Sequence, residues 1–395
     1  MTEPQHLIKR LAIRLGWPTT PAKSLVIVNS ALRGTLRRQV DMSKHTSWHA
    51  GGTAERMYQP ADLDDLLVYL RSLPADEPLY AVGLGSNLLV RDGGLHGTVL
   101  MLHGTLSALR LEDDGSVSPQ GGGRGCLEEV LAPAGGKATN NKVRQSVTSQ
   151  RLDGIDTVPT TTLYCEAGVS GAKLARFAAL HNLQGAEFFA GIPGTLGGML
   201  AMNAGCYGSE TWEKVLRVQT VNRHGEVRVR TAADYEIGYR HVVLREKGKG
   251  GREKGENLGR GDTLHPSPFT LHQNEWFIAA WLQFPKGDGE SARQGIKALL
   301  SKRIATQPLN LPNAGSVFRN PQGDHAARLI EQCGLKGRQI GGAQVSEKHA
   351  NFIVNAGAAT AADIENLINE VQAVVQQQTG IKLHPEVRIV GEKKL

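Results

Sequence analysis

Three polar side chains stand in surroundings that ask for a chemical reason. Ser316 sits in a glycine-then-serine turn, residues 313–321, NAGSVFRNP, between apolar neighbours. It lacks the G-x-S-x-G elbow of a hydrolase nucleophile. A serine so placed can give a proton to a carbanion if a bound anion tunes it, or it can simply cap the turn. Glu386 interrupts an apolar closing segment, residues 383–390, LHPEVRIV, which reads as a strand. A carboxylate on a buried strand face must be paired or functional, whereas on an edge strand it would face water. Arg240 follows Tyr239 among apolar residues. Its guanidinium can stabilise a developing oxyanion or make an ordinary salt bridge.

The glycines indicate what such groups would act beside. Residues 185–208, GAEFFAGIPGTLGGMLAMNAGCYG, hold six glycines from Gly191 to Gly208 and almost no charge after Glu187. Each interior glycine costs a helix about 1 kcal/mol against alanine, so no ordinary helix is expected. The stretch is also too apolar for a solvated linker. It reads as backbone pressed against something large and flat, with N–H groups turned to anionic oxygens: a phosphate-bearing cofactor. The residues concerned are Gly191, Ile192, Pro193, Gly194, Thr195, Gly197 and Gly198, with Asn203 embedded beyond them. The alternative is a tight core turn. A second cluster, residues 79–90, LYAVGLGSNLLV, reads as strand, tight loop, strand. Gly83, Leu84, Gly85, Ser86 and Asn87 offer consecutive backbone donors, a hydroxyl and an amide, which suits a pyrophosphate. The pattern is neither a dinucleotide fingerprint nor a Walker A loop.

Composition excludes several classes. The 395 residues suffice for two or three domains, and 40% hydrophobic content supports a sizeable core. Net charge is +7, but the basic residues are scattered and aromatics are only 5%, so nucleic acid is the weaker partner and an anionic substrate or cofactor accounts for the charge. None of the four cysteines makes a CxxC pair, and no Cys/His group has zinc spacing, so no metal is expected. No signal peptide or membrane-length apolar run is seen. These features suit a cytoplasmic protein that binds no membrane, expected to be a monomer.

The elements that must position these residues read as follows. Residues 1–40 are taken as a solvated leader, with a short strand at 25–28 and a basic stretch at 33–38. Helices are expected at 62–73, 170–181, 291–302 and 325–333, the second burying Leu174, Phe177, Ala178 and Leu180. Thr360 and Asp363 make a capping box for a helix to about 378. Strands are expected at 98–102, 215–231 around a turn at His224-Gly225, 276–284 and 350–354. Residues 112–162 show no sustained period, and 245–271 are charged and glycine-laced, so both read as exposed insertions. Leu109–Leu111 and Leu163–Ala167 look like two halves of a hairpin joined across the first.

Taken together, these blocks resemble the UDP-N-acetylenolpyruvoylglucosamine reductase family of peptidoglycan synthesis. The resemblance is carried by the TSW and GG at 46–52, GLGSNLLVRDGG from Gly83, GIPGTLGGMLAMNAGCYG from Gly191, NAGSVFRNP from Asn313, GGAQVSEKHANFIVN from Gly341 and HPEVRIVG from His384. It is nearest to members lacking an extra tyrosine-bearing loop, often called type II. It implies an α+β fold: a two-subdomain FAD-binding fold of the vanillyl-alcohol-oxidase/PCMH type over 41–240, plus a C-terminal α/β substrate-binding domain over 272–395. It implies FAD and NADPH as cofactors and UDP-N-acetylglucosamine enolpyruvate as substrate. Ser316 would be the proton donor, with Arg240 and Glu386 acting on the substrate carboxyl and enol. Tyr239 and Asn320 would contact substrate, and the two glycine clusters with Asn203 would hold the flavin. One departure is local: His241 and Val242 follow Arg240 where the family commonly has a serine two residues on. Two other readings remain, another flavin oxidase or dehydrogenase of this fold and a non-catalytic sugar-nucleotide binder.

Overall fold

The computed structural model of the protein describes residues 32–112, 158–245 and 275–394. The strand expected at 25–28 and most of both presumed insertions lie outside these residues.

The chain enters through β1 (Thr35–Asp41), antiparallel to β2 (Thr53–Gln59). The leader expected over 1–40 therefore gives way to sheet by Thr35. Its seven residues are mostly exposed, as suits an edge strand, which is why they carry no apolar signal. Helix α1 (Leu63–Ser72) follows, capped by the Asp62 side chain, which accepts from Asp65 N. Strands β3 (Leu79–Val82), β4 (Leu88–Val90) and β5 (Leu95–Met101) come next. The first sheet runs β1-β2-β5-β3, so β3 and β4 do not form a hairpin. The glycine loop between them carries the chain from one sheet to another.

Strands β6 (Leu109–Glu112) and β7 (Thr160–Glu166) pair antiparallel, Leu109 opposite Cys165 and Glu112 opposite Thr162, which is the expected hairpin. Helix α2 (Gly171–Leu180) is capped by Ser170 and buries Leu174, Ala175, Ala178 and Ala179. Leu180 is 64% exposed, because it falls outside that stripe. The glycine-rich stretch contains a helix after all, α3 (Leu196–Ala201), of six residues. Gly197 permits it by close approach, since a Cβ there would lie 3.1 Å from Ala167 Cβ. Two-residue strands β8 (Gly205–Cys206) and β9 (Ser209–Glu210) precede β10 (Val215–Asn222) and β11 (Val227–Arg230), then the hairpin of β12 (Tyr235–Gly238) and β13 (His241–Leu244).

Strand β14 (Glu275–Pro285) corrects the domain boundary expected at 272. It is the central strand of the second sheet, order β11-β10-β14-β7-β6. Six of its eleven residues in succession are buried, from Glu275 to Ala280, too apolar for a peripheral position. Helix α4 (Gly289–Thr306) packs back on α2 and on the turn at Glu187–Gly191. The C-terminal unit thus begins after α4, with α5 (Ala326–Gln332), β15 (Gln339–Ile340), β16 (Ala343–Val345), β17 (Ile353–Asn355) and α6 (Ala361–Thr379). The capping box of α6 is present, and Ile364, Leu367, Ile368, Val371 and Val375 are buried on one face. Finally β18 (Arg388–Val390) returns to pair parallel with β4. Trp48, fully buried, donates its indole N–H to Ile353 O at 2.8 Å and so joins the C-terminal unit to the first lobe.

Candidate active site

A cavity of about 340 Å3 opens where the first sheet, the second sheet and the C-terminal unit meet. Ser316, Glu386, Arg240 and the residues 83–87 line it, as do Gly191, Ile192, Pro193, Gly194, Thr195, Gly197 and Gly198. Segments far apart in sequence therefore converge on one space.

Loop 83–87 is held tightly. Gly85 has φ 63°, and a Cβ there would sit 2.0 Å from His45 O; a Cβ on Gly83 would strike Thr195 Oγ1. These two glycines serve close packing of protein on protein. None of the backbone N–H groups of residues 83–87 donates a hydrogen bond among the described residues, so the loop keeps donors for an anion. The second stretch differs. Gly194 N donates to Ile192 O and Gly197 N to Ala167 O, both at 2.9 Å, so these are not free for phosphate. Gly198 faces open space, with nothing within 4 Å of a Cβ, and exposes bare backbone to the cavity. Trp276 lines the same cavity, and its buried Nε1 has no partner. An apolar wall with unspent N–H donors at one edge fits a flavin with its pyrophosphate.

Ser316 is fixed by its neighbours' backbone. Gly315 turns the chain at φ 76°, with its N–H donating to Asn313 Oδ1 at 3.0 Å. Buried Asn351 clamps the next residues: its side chain accepts from Phe318 N at 3.0 Å and donates to Phe318 O at 2.9 Å. Glu386 N donates to Val317 O at 2.7 Å, which brings Glu386 and Ser316 to the same wall. Glu386 precedes β18 rather than lying within it, next to an antiparallel bridge between Pro385 and Phe318.

Arg240 occupies the tip of the β12–β13 hairpin at φ 54°, left-handed for a non-glycine residue. Such a conformation costs about 1–2 kcal/mol, and three bonds hold it. Nε donates to Glu386 Oε1 at 2.6 Å, Nη1 to Asn203 O at 3.2 Å and Nη2 to Gly205 O at 2.9 Å. Both side chains of the ion pair are about 15% exposed. Burial pushes the Glu386 carboxyl above its ordinary range, against the opposing pull of Arg240. We read the burial as decisive because the carboxyl is enclosed while the guanidinium shares its donors with two carbonyls.

Three expected residues lie elsewhere. Asn203 is not on the cavity wall. Its amide donates to Glu210 Oε2 at 2.6 Å and to Gly238 O at 3.2 Å, so it braces the hairpin that carries Arg240. Tyr239 is 47% exposed and lies outside the cavity, under the Arg240 guanidinium. Asn320 is exposed, and its Oδ1 accepts from Ala326 N at the start of α5. Asn87 lines the cavity, but its Nδ2 is spent on Glu386 O at 3.2 Å. The sequence reading missed Asn351, Arg303 and Arg388. Arg388 was legible as the second charge of the closing block that carries Glu386.

This arrangement defines a flavin-binding α+β protein, and residues 134–230 match the family profile described as an FAD binding domain. Residues 307–390 match that of the UDP-N-acetylenolpyruvoylglucosamine reductase C-terminal domain. The chain is 50% identical over 362 residues to the UDP-N-acetylenolpyruvoylglucosamine reductase of Nitrosospira multiformis, covering 92% of this chain and 90% of that one. It is 47% identical over 388 residues to that of Nitrosomonas eutropha, covering 98% and 97%. The crystal structure of UDP-N-acetylenolpyruvylglucosamine reductase from Thermus caldophilus shares the fold, with a TM-score of 0.61 at 24% identity, over 91% of this chain and 99% of that one. The chain belongs to the UDP-N-acetylenolpyruvoylglucosamine reductase family.

Proposed function

We propose that this protein reduces UDP-N-acetylglucosamine enolpyruvate to UDP-N-acetylmuramate with NADPH, a step of peptidoglycan synthesis. The observation that carries this reading is the convergence of Ser316, Glu386 and Arg240, from three separate segments, on one cavity beside loop 83–87. When bound, the flavin supplies the hydride relay between NADPH and C3 of the enolpyruvyl group. The chain's own residues handle the charge and the proton. Hydride addition at C3 leaves negative charge at C2 and on the adjoining carboxyl. The Ser316 hydroxyl, carried on a backbone that Asn313 and Asn351 fix at the cavity wall, is the proton donor to C2. Burial raises the Glu386 carboxyl above its ordinary range, and in its protonated form it gives a hydrogen bond to the developing enolate. Arg240 fixes the Glu386 side chain and supplies positive field, and Asn203 positions Arg240. No substrate contact is proposed for Tyr239 or Asn320.

Among the described residues no helix is long and apolar enough to cross a membrane, and the three described cysteines are free thiols. We infer a cytoplasmic monomer that binds no nucleic acid. The test is spectroscopic. NADPH added without oxygen should bleach the flavin absorbance, and the enolpyruvyl sugar should restore it. Recovery with oxygen alone would favour an oxidase. A protein that cannot be loaded with FAD would overturn the reading.

A further inference from the structure

The contacts that hold Arg240 end on a carboxylate outside the cavity, Glu210. Between the two stands Asn203, which is buried and whose side chain is fully occupied. Its Oδ1 accepts from Trp212 N at 3.2 Å, and its Nδ2 donates to Glu210 Oε2 at 2.6 Å and to Gly238 O at 3.2 Å. The Trp212 bond fixes which way the amide points, so its N–H groups face the carboxylate and the carbonyl. The Asn203 backbone carbonyl accepts from Arg240 Nη1, and Gly205 O accepts from Nη2. One short segment, 203–210, thus holds the β12–β13 hairpin by its backbone at Gly238 and by the guanidinium at its tip.

That segment is itself closely built. Tyr207 and Gly208, at φ 55° and 87°, form the two-residue turn between β8 and β9, with Gly205 opposite Glu210. A Cβ on Gly205 would strike Ser209 O. At the tip the Tyr207 hydroxyl donates to Leu299 O of α4 at 3.0 Å. Glu210 closes the base. It is half-buried, and Asn203 is the one partner its carboxylate has among the described residues. An ionised acceptor makes a hydrogen bond roughly twice as strong as a neutral one, so Glu210 holds the amide in one orientation. The carbonyl gripped at the other end, Gly238 O, lies two residues before Arg240, whose left-handed backbone needs holding. We propose that Glu210 is a positioning residue for the substrate half of the reaction: through Asn203 it sets where Arg240 presents its guanidinium to Glu386. A displacement of about 1 Å in such a group can cost about a hundredfold in rate.

This inference rests on the reductase reading, and the tests separate the two. Glu210→Ala removes the contact. Glu210→Asp keeps the charge and loses the reach, whereas Glu210→Gln keeps the reach and loses the charge. In stopped flow without oxygen, Glu210→Ala and Glu210→Asp should slow reoxidation of the reduced flavin by the enolpyruvyl sugar about ten- to a hundredfold. Glu210→Gln should stay within about threefold of the parent. Reduction of the flavin by NADPH should be unchanged in all three. Adding Glu210→Ala to Arg240→Ala should slow reoxidation no further than Arg240→Ala alone. Equal slowing of both half-reactions, independent losses in the double variant, or Glu210→Gln as impaired as Glu210→Asp would overturn the proposal. If Glu210→Ala does not retain FAD, Glu210→Asp and Glu210→Gln decide. Amide hydrogen exchange over residues 238–242 of the oxidised holoenzyme reads the same link without turnover. Exchange should quicken in Glu210→Asp and keep the parent rate in Glu210→Gln; a parent rate in both refutes the link. A parent whose flavin the sugar does not reoxidise overturns the reductase reading, and the exchange rates then decide by themselves whether Glu210 holds the hairpin.

Discussion

Ser316 and Glu386 divide the work of the second half of the reaction, and their surroundings assign the shares. Ser316 has a backbone fixed on both sides by Asn313 and Asn351, so the residue is seated at the cavity wall before substrate arrives. Ser316→Ala should leave reduction of the flavin by NADPH unchanged. Reoxidation by the enolpyruvyl sugar should slow about 10²- to 10⁴-fold, as loss of a positioned proton donor does. Stopped-flow measurement of the two half-reactions checks this. Glu386 makes a prediction in pH. Burial raises its carboxyl, so the folded state holds that proton more tightly than the unfolded chain. Its contribution to stability is complete below the ordinary carboxylate value of about 4.3 and is lost as pH rises through the raised value. Glu386→Gln cannot titrate. The difference in urea midpoint between variant and parent should therefore move in the variant's favour as pH rises from about 4. A difference constant with pH would contradict the assignment.

At the scale of elements, the hairpins carry the argument. The β6–β7 pairing was visible in sequence because Leu109–Leu111 and Leu163–Ala167 match across a stretch with no period. The register, Glu112 opposite Thr162, brings the ends of that stretch to adjacent positions in the sheet. Loop closure cost grows slowly with length, so the hairpin does not depend on the length between them. Replacing residues 114–158 with a short turn should leave FAD bound, as the absorbance spectrum of the purified protein would show; a colourless product would contradict this. The capping box at Thr360 was equally legible, because it acts within one turn, and Asp62 and Ser170 cap their helices in the same local way. What escaped was set by distance. Nothing local marks Thr35–Asp41 as a strand, since its partner is β2. Nor does the apolar run of β14 announce that it belongs to the sheet before it rather than the unit after it. Glycine was also misread in part: α3 tolerates Gly197 because Ala167 lies against it.

The whole molecule shows why the site was legible as a set of blocks and not as a geometry. The blocks named Ser316, Arg240, Glu386 and loop 83–87, and all line one cavity. Asn203, Tyr239 and Asn320 fall outside it, because a neighbour in sequence need not face the same way. Arg303 lines this cavity and an adjoining one of about 350 Å3, a junction no local pattern reveals. Since the cavity draws on both sheets and the C-terminal unit, FAD should stabilise the molecule as one body. Removing FAD should lower the melting temperature in a single transition. Restoring it to 100 times its dissociation constant should return about 2.7 kcal/mol. A calorimetric titration checks this, and a two-step melt unaffected by FAD would contradict it.

The pairing of β18 with β4 has a bearing on synthesis. Asn87 and Glu386, hydrogen-bonded to each other, are 299 residues apart. A chain still emerging from the ribosome has its glycine loop early. Part of the cavity wall is missing until Glu386 and Arg388 have been added. Contacts of such long range form late and slowly. Competence therefore arrives with the final strand, and a chain broken before Glu386 has the glycine loop without the part of the wall that Glu386 and Arg388 supply.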